Sequence, residues 1–287
     1  MFGLLNVNKP VGMTSRDVVD RIAKLVRPDK AGHAGTLDPL ASGVLVVCIG
    51  QATRLVEYVQ RMEKRYTATF TLGQESPTGD LEGPITTLDD AVVPTRDEVF
   101  AGAASFIGET DQIPPAYSAV KVGGRRAYRM ARKGQMVALA PRKIMIHQIV
   151  VVRYDYPELT LNIECGSGTY IRSLGRDLAK SLGTVAVMSK LVRTAVGSFR
   201  LEEAIPLDVL SGGNVEGRLL PATSAVSMLP RITLSADELN DVANGKSIAR
   251  PASHPGEEVA AVDERGMLRS ILSSSESGLQ PTRNFVF

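Results

Sequence analysis

The chain has 287 residues and a near-neutral net charge of +2, and because this length exceeds the usual size of a single core, we expect two domains. Apolar residues make up 44% and charged residues 22% of the sequence, a balance that excludes a disordered or low-complexity protein. No apolar run is long enough to cross a bilayer, no secretory signal is recognisable, and two cysteines and three scattered histidines offer neither a disulfide framework nor metal-ligand spacing.

The N-terminal sequence predicts a strand and then an amphipathic helix. Residues Phe2–Val7 form an apolar, strand-like run, and Thr14 precedes Asp17 by three residues, as at a helix start. Pro28 closes the helix. The apolar residues between them have the spacing of one buried helical stripe: Val18, Val19, Ile22, Leu25 and Val26.

Residues 31–43 are rich in Gly, Pro, Thr and Ser and predict a loop that leads into a buried strand at Val44–Ile49. Asp38 is the only acid in the loop, and Pro39 forces it towards an extended conformation. A carboxylate held in this way can act as a nucleophile or base. An isolated Asp beside Gly and Pro can equally well serve only to shape a turn.

The middle of the chain predicts a mixed α+β body. A short helix is indicated near Leu55–Val59, and apolar residues alternate with threonines from Tyr66 to Leu72, as in a half-exposed strand. Further strands are predicted at 144–153 and 158–165. A helix follows from Ile171 to Leu182, and Gly183 ends it.

Charge is strongly segregated in this part of the chain. Residues 75–111 hold nine acids and one arginine, whereas residues 114–143 hold eight basic residues and no acid. A basic segment of this kind attracts a polyanion locally, although a solvated loop with chance charges is the alternative interpretation.

The C-terminal part predicts a small β-rich module after a loop cluster at 211–214. Ser235 and Glu238 have the spacing of a helix cap, and strands at Glu258–Val262 and Met267–Leu272 flank a turn as in a hairpin.

Four motifs, in order, resemble those of the TruB family of tRNA pseudouridine synthases. The densest is Gly-His-Ala-Gly-Thr-Leu-Asp-Pro-Leu-Ala-Ser-Gly at residues 32–43, which resembles the family's catalytic motif. The others are Asn-Lys-Pro-Val-Gly-Met-Thr-Ser at 8–15, Lys-Arg-Tyr at 64–66 and Gly-Thr-Tyr-Ile-Arg-Ser-Leu at 168–174. The resemblance covers roughly residues 3–200 and weakens after that.

The resemblance implies three catalytic residues. Asp38 would be the carboxylate needed to break the uridine glycosidic bond, and Tyr66 would stack on the base near the proton removed from carbon 5. Arg172 would pair with Asp38, which agrees with the need of a buried carboxylate for a cation that stays protonated.

The resemblance also implies residues that contact RNA. His33 would help to hold the flipped-out nucleotides, and Leu191 would line the pocket, although a core leucine is nearly as good an interpretation. Lys9 would support the pocket loop, with contact to RNA as the alternative. The basic segment 114–143 resembles the family's insertion that grips the T-arm, through Lys121, Arg125, Arg126, Arg129, Arg132 and Lys133.

Together these features predict an α+β pseudouridine-synthase fold around a mixed, mainly antiparallel sheet. We expect a catalytic domain at 1–222, with the RNA-gripping insertion at about 114–143, and a PUA-like module at 228–287. The protein would be a cytoplasmic monomer that isomerises the T-loop uridine at position 55 of tRNA by base flipping. The sequence contains no Gly-x-Gly-x-x-Gly, P-loop or metal cluster, so we expect no cofactor and no metal.

Two other functions are compatible with the same residues. A nucleosidase or glycosylase would use Asp38 to release the base, and a non-catalytic RNA-binding protein or RNA chaperone would use only the basic segment. A glycosylase releases free uracil, an isomerase leaves the mass of the RNA unchanged, and a binder leaves its nucleosides unchanged.

Replacing Arg125, Arg126 and Arg129 together by alanine should weaken binding of a T-arm hairpin. It should also flatten the log–log dependence of affinity on salt by roughly two units, because each phosphate contact contributes about 0.7–0.9. The measurement is hairpin binding at several salt concentrations for both proteins. An unchanged slope with unchanged affinity would make the segment a solvated loop.

Overall fold

The computed structural model describes residues 1–118, 121–122, 124–127, 130, 135, 139–250, 256–275 and 278–285, and the structural statements below concern these residues. Within them, no helix is long and apolar enough to span a membrane.

Five α-helices and eighteen strands are described. The helices are α1 (Ser15–Leu25), α2 (Val56–Arg61), α3 (Arg96–Ser105), α4 (Ile171–Ser181) and α5 (Ala236–Ala243). The strands are β1 (Phe2–Lys9), β2 (Ala31–His33), β3 (Ser42–Gly50), β4 (Lys64–Leu72), β5 (Gln74–Glu75), β6 (Thr86–Thr87), β7 (Gly108–Gln112), β8 (Lys121–Val122), β9 (Arg125–Arg126), β10 (Arg142–Asp155), β11 (Glu158–Cys165), β12 (Ala186–Val196), β13 (Phe199–Arg200), β14 (Ile205–Pro206), β15 (Arg231–Thr233), β16 (Glu258–Val262), β17 (Leu268–Ser275) and β18 (Gly278–Asn284). Short 3₁₀ turns lie at Gln51–Leu55, Leu201–Glu203, Leu207–Val209, Glu216–Arg218 and Ala222–Val226.

A ten-stranded mixed sheet forms the body of the protein. Its main path runs β14-β1-β3-β12-β4-β11-β10-β7, with β2 paired to β3 and β13 paired to β12. Only the β1–β14 and β3–β12 pairs are parallel among the described ladders of this sheet. The expected α+β class with a mixed, mainly antiparallel sheet is therefore confirmed.

One face of the sheet carries the main hydrophobic core. Along β4 buried and partly exposed residues alternate, so Tyr66, Ala68, Phe70 and Leu72 point into the core, as the sequence predicts. Helix α4 covers this face with its own apolar stripe, which comprises Ile171, Leu174 and Leu178.

The predicted start of α1 is confirmed in detail. The Thr14 side chain accepts a hydrogen bond from the backbone N–H of Asp17, and the Asp17 carboxylate accepts one from the backbone N–H of Thr14. Ser235 and Glu238 form the same reciprocal arrangement at the start of α5. Such caps satisfy helix N–H groups that have no partner within the helix.

Two elements differ from the sequence interpretation. The segment 31–43 is not loop throughout, because Ala31–His33 forms β2 and pairs with β3. Helix α3 was not predicted, although Thr95 and Glu98 cap it reciprocally. Its acidic residues belong to the acidic stretch 75–111, so the cap spacing does not stand out in the sequence.

The C-terminal residues form a separate four-stranded sheet of order β15-β16-β17-β18, which confirms the β-rich module. One hydrophobic cluster crosses from the body into this module and includes Leu4, Val44, Ile271 and Phe285. The Phe285 ring stacks on that of Phe2, with 5.2 Å between ring centroids. The domain boundary at 222–228 stays a prediction.

Helix α4 lies unusually close to the sheet at Gly175. A Cβ atom built on Gly175 would lie 2.0 Å from a ring carbon of Phe70 on β4, far inside van der Waals contact. Since Arg172 lies less than one turn earlier on this helix, the close approach at Gly175 fixes the depth at which Arg172 enters the site.

Gly175→Ala should therefore lower stability and displace Arg172, although alanine favours an isolated helix by about 1 kcal/mol. Urea unfolding should show a loss of about 1–3 kcal/mol, as expected for overpacking. Gly217→Ala is the control, because nothing lies within 4 Å of a Cβ atom built there. Equal stability of the two variants would contradict the packing constraint.

Candidate active site

The loop that carries Asp38 is anchored to the N-terminal motif. The Ser15 hydroxyl, at the start of α1, accepts a hydrogen bond from the Leu37 N–H at 2.8 Å and donates one to the Leu37 carbonyl at 3.1 Å. The Gly12 N–H donates to the Pro39 carbonyl at 2.8 Å. The two motifs, 8–15 and 32–43, thus form one unit around Asp38.

Lys9 lies beneath this unit and is fully buried. Its ammonium group donates to the carbonyls of Pro10 and Met13, at 2.8 and 2.5 Å. Burial lowers the pKa of Lys9 to about 8, although Asp38 and Glu82 oppose the shift. Its position suits the support of the loop. Contact with RNA would require a solvent-accessible ammonium group, and that of Lys9 is buried.

Arg172 enters from the first turn of α4 and pairs with Asp38. Its Nη2 lies 3.0 Å from an Asp38 carboxylate oxygen, and the guanidinium is buried whereas one third of the Asp38 side chain is exposed. Nη1 lies 3.4 Å from Asp80, whose carboxylate is buried. The structure thus brings together two carboxylates on one guanidinium, with only Asp38 accessible.

Two backbone carbonyls complete the surroundings of the Arg172 guanidinium. Nη1 donates to the Thr78 carbonyl at 2.8 Å, and Nη2 donates to the Tyr117 carbonyl at 2.9 Å. A buried guanidinium must have its donors satisfied, so these contacts fix its plane and direction. Arg172 therefore holds the Asp38 carboxylate in one orientation.

The start of α4 is itself clamped by the end of β7. The Gln112 side chain donates to the Tyr170 carbonyl at 3.1 Å and accepts from the Tyr170 N–H at 2.8 Å. The Ser173 hydroxyl donates to the Ile113 carbonyl at 2.9 Å. Because these contacts flank Arg172 in sequence, they limit rotation and sliding of the helix turn that carries it.

Asp80 and Glu82 belong to the segment between β5 and β6 and were not singled out from the sequence. Asp80 accepts from the N–H of Glu82, and Glu82 accepts from the N–H of Leu40 in the Asp38 loop at 3.0 Å. This segment is thus hydrogen-bonded to the Asp38 loop and helps to hold it in place. Nothing in the sequence distinguished these two acids from their seven acidic neighbours in 75–111.

Burial raises the pKa of the Asp38 carboxyl above its ordinary value, and Asp80 adds to this effect. The Arg172 guanidinium opposes it by stabilising the charged form. The site therefore holds a carboxylate that is less strongly acidic than a surface aspartate, yet is positioned and partly exposed. Such a group can accept or donate a proton or attack an electrophilic carbon.

Tyr66 and Leu191 form an apolar wall in the same core cluster as Leu37 of the Asp38 loop. Tyr66 is 9% exposed and Leu191 is 6% exposed. Burial raises the pKa of the Tyr66 hydroxyl, so it is neutral at physiological pH. An aromatic ring beside the carboxylate offers a face on which a planar base can stack.

His33 lies at the end of β2, half-buried, and its Nδ1 has no hydrogen-bond partner. Burial lowers its pKa, and the nearby Arg193 and Arg16 add to the effect. The neutral imidazole therefore keeps a buried Nδ1 without a hydrogen-bond partner near the Asp38 loop.

The residues expected to grip RNA cannot be placed. The side chains of Lys121, Arg125 and Arg126, and the whole of Arg129, Arg132 and Lys133, lie outside the described residues. Their RNA contacts stay predictions, as do the roles assigned to the other site residues. Among the side chains that are described, no group of three or more His, Cys, Asp or Glu residues could hold a metal ion.

The chain is similar to known proteins over most of its length. Residues 23–171 match the family described as TruB family pseudouridylate synthase, N-terminal domain. A tRNA pseudouridine synthase B of Dehalococcoides mccartyi is 38% identical over all of this chain and 97% of its own length. One from a Mycobacterium species is 41% identical over 99% of this chain and 95% of its own.

Solved structures share the fold. The crystal structure of a Cbf5-Nop10-Gar1 complex contains a chain that matches 99% of this chain, and 85% of its own length, with a TM-score of 0.77 and 27% identity. An H/ACA RNP bound to a substrate RNA containing 2'-deoxyuridine matches 100% of this chain and 86% of its own, with a TM-score of 0.76 and 25% identity.

The raised pKa of Asp38 predicts that its charge destabilises the fold. The folded protein holds this proton more tightly than the unfolded chain does, so stability falls as the pH rises from the ordinary pKa of aspartate through the raised value. Asp38→Asn, which stays neutral, should therefore melt a few degrees higher at pH 7, on the order of 2–4 °C. This gain should shrink at lower pH.

The measurement is thermal unfolding of both proteins between about pH 4 and pH 8, around the ordinary aspartate pKa. Asp20→Asn is the control, because Asp20 is half-exposed on α1 and pairs only with the exposed Arg16 among the described residues. A lower melting temperature for Asp38→Asn at every pH would show that the Arg172 pair outweighs burial.

Proposed function

The chain belongs to the TruB family of pseudouridylate synthases, and on this basis we propose that it converts the T-loop uridine at position 55 of tRNA to pseudouridine. Pseudouridine synthesis in tRNA is the activity that its curated relatives are named for. The reaction detaches uracil from the ribose, turns it within the pocket and rejoins it through carbon 5, so the mass of the RNA is unchanged.

The observation that carries this proposal is the partly exposed Asp38 carboxylate held 3.0 Å from the buried Arg172 guanidinium. A solvent-exposed pair of this kind would be an ordinary surface salt bridge. Here the cation is buried and oriented by four acceptors. Of the two carboxylates that it meets, only that of Asp38 is accessible, so this carboxylate faces the site. Asp38 would assist cleavage of the glycosidic bond.

The wall beside Asp38 suits a uracil ring. Tyr66 would stack on the flipped base, and Leu191, in the same wall, would exclude water from the pocket. Extrusion of the base from a folded RNA arm requires a few kcal/mol of unstacking energy, which pocket contacts must supply. His33, half-buried beside the Asp38 loop, would help to hold the flipped-out nucleotides.

Binding of the T-arm would depend on the basic segment 114–143 and not on the C-terminal module. Residues 228–287 contain eight acidic and six basic residues, so the module has no net attraction for phosphate. The eight basic residues of 114–143 have no acidic neighbour within the segment. The start of the segment lies beside the site, because the Tyr117 carbonyl accepts a hydrogen bond from Arg172.

The deciding experiment is nucleoside analysis of a T-arm hairpin after incubation with the protein. We expect pseudouridine at the position that corresponds to 55, an unaltered RNA mass and a new carbodiimide-reactive base. A hairpin with cytidine at that position is the matched control and should stay unmodified. Free uracil would instead identify a glycosylase, and unchanged nucleosides would identify a binding protein.

Asp38→Asn should abolish pseudouridine formation while RNA affinity changes by less than about tenfold, because one carboxylate contributes to the transition state more than to binding. Single-turnover assays and hairpin binding measure the two effects separately. Asp20→Asn is again the control. Substantial turnover by the purified variant, with deamidation excluded, would remove Asp38 from catalysis.

Arg172→Lys should be much less active than the wild type although the charge is kept. The planar guanidinium meets Asp38, Asp80 and two carbonyls at once, and an ammonium group cannot reproduce that geometry. Arg176→Lys is the matched control, one turn later on α4, where the side chain is half-exposed and pairs with Asp177. Equal activity of both variants would show that only the charge of Arg172 matters.

A further inference from the structure

Arg193 on β12 is a buried cation that the catalytic motifs leave without a role. It is 2% exposed and is among the largest fully buried side chains described. Arg172 meets two carboxylates, whereas within the described part of the chain Arg193 forms no ion pair. Burying an uncompensated guanidinium is costly, so its neutral partners must fix it firmly.

Those partners lie at the two ends of the Asp38 loop. Arg193 Nε donates to the Val44 carbonyl at 2.7 Å, and Nη2 donates to the Gly35 carbonyl at 3.1 Å. Residues 35 and 44 enclose Asp38 in sequence. Hydrogen bonds from a single side chain thus join the two ends of the Asp38 loop and close its base.

The backbone of Arg193 holds the same loop. Gly43 pairs with Arg193 where β3 and β12 run parallel, and a Cβ atom on Gly43 would lie 2.3 Å from the Arg193 carbonyl oxygen. Gly43 also has φ +100°, which other residues rarely adopt. At the other end, a Cβ atom on Gly35 would lie 3.5 Å from Arg193 Nη1. Gly35 and Gly43 therefore both adjoin this one arginine.

Arg193 also faces Tyr66 directly. The two residues are opposite each other in the β4–β12 ladder, so their side chains share one face of the sheet. The guanidinium lies against the Tyr66 hydroxyl and opposes the rise that burial causes in its pKa. A guanidinium only donates, so where it hydrogen-bonds the Tyr66 oxygen, that oxygen accepts and the Tyr66 O–H proton is directed to another acceptor.

We propose that Arg193 is a positioning residue, which closes the base of the Asp38 loop and orients the Tyr66 hydroxyl so that it donates into the pocket. The catalytic consequence of this inference rests on the proposed function, whereas the closing of the Asp38 loop by Arg193 does not. Arg193 acts through the loop backbone and Tyr66, and it need not touch the RNA.

The structural part is tested by hydrogen exchange in Arg193→Lys and Arg193→Gln. Amide exchange in a peptide that covers residues 34–45 should accelerate on the order of tenfold, since two hydrogen bonds from a charged donor are weakened. Exchange in β16 and β17 should stay unchanged. Arg193→Lys retains the charge and most of the volume, so it carries the test if Arg193→Gln does not fold.

Lys64→Met is the matched control. Lys64 is also a buried cation on β4, two residues before Tyr66, but its ammonium donates to the carbonyls of Gln60 and Met62 at the end of α2. This variant should lose thermal stability without faster exchange at 34–45. Wild-type exchange there in Arg193→Lys, or equal acceleration in Lys64→Met, would overturn the proposed loop closure.

The catalytic part is tested by a double-mutant cycle with Tyr66→Phe. Arg193→Lys should lower the single-turnover rate on the order of tenfold to a hundredfold, with T-arm affinity within about threefold. In the Tyr66→Phe background the same change should have a much smaller effect, because the hydroxyl it orients is absent. Additive effects, or a loss confined to affinity, would overturn the positioning of Tyr66.

Activity of the wild type separates a failure of the proposed function from a failure of the role of Arg193. If the wild type makes no pseudouridine in T-arm RNA, the activity is wrong, while hydrogen exchange still decides whether Arg193 closes the loop. If the wild type is active and the cycle is additive, only the positioning role falls.

Discussion

The site depends on one buried guanidinium whose partners come from three separate parts of the chain. Arg172 lies on α4, Asp38 on the loop before β3, Asp80 and the Thr78 carbonyl on the β5–β6 segment, and the Tyr117 carbonyl after β7. An unpaired buried charge is strongly unfavourable, so these segments must assemble together or not at all. The same contacts thus fix both the catalytic geometry and the arrangement of these segments, although the Asp38 charge itself lowers stability.

Sequence patterns predicted the parts of the structure that depend on neighbouring residues. The Thr14–Asp17 cap, the alternation along β4 and the β-rich C-terminal module each follow from short-range periodicity or spacing. The pairing of Asp38 with Arg172 followed from family resemblance alone. No local pattern connects two residues so far apart, since their approach depends on how α4 crosses the sheet.

The residues that could not be predicted from the sequence are those whose importance arises only from packing. Asp80 resembles its acidic neighbours until the fold buries it against Arg172, and Arg193 resembles any strand arginine until β12 pairs with β3 and β4. Gly175 would be judged an unfavourable helix residue, yet the Phe70 ring leaves no room for a side chain there. In each case the cause is a contact between distant segments, which composition and spacing do not encode.

The stacking of Phe2 on Phe285 has a consequence for the order of events during synthesis. These rings belong to one hydrophobic cluster, and almost the whole chain separates them. On the ribosome, β1 and β3 must therefore wait with one apolar edge uncovered until residue 285 has emerged, although the Asp38 loop is made early. Nascent chains should accordingly expose this apolar surface to chaperones until residue 285 has emerged and the cluster can close.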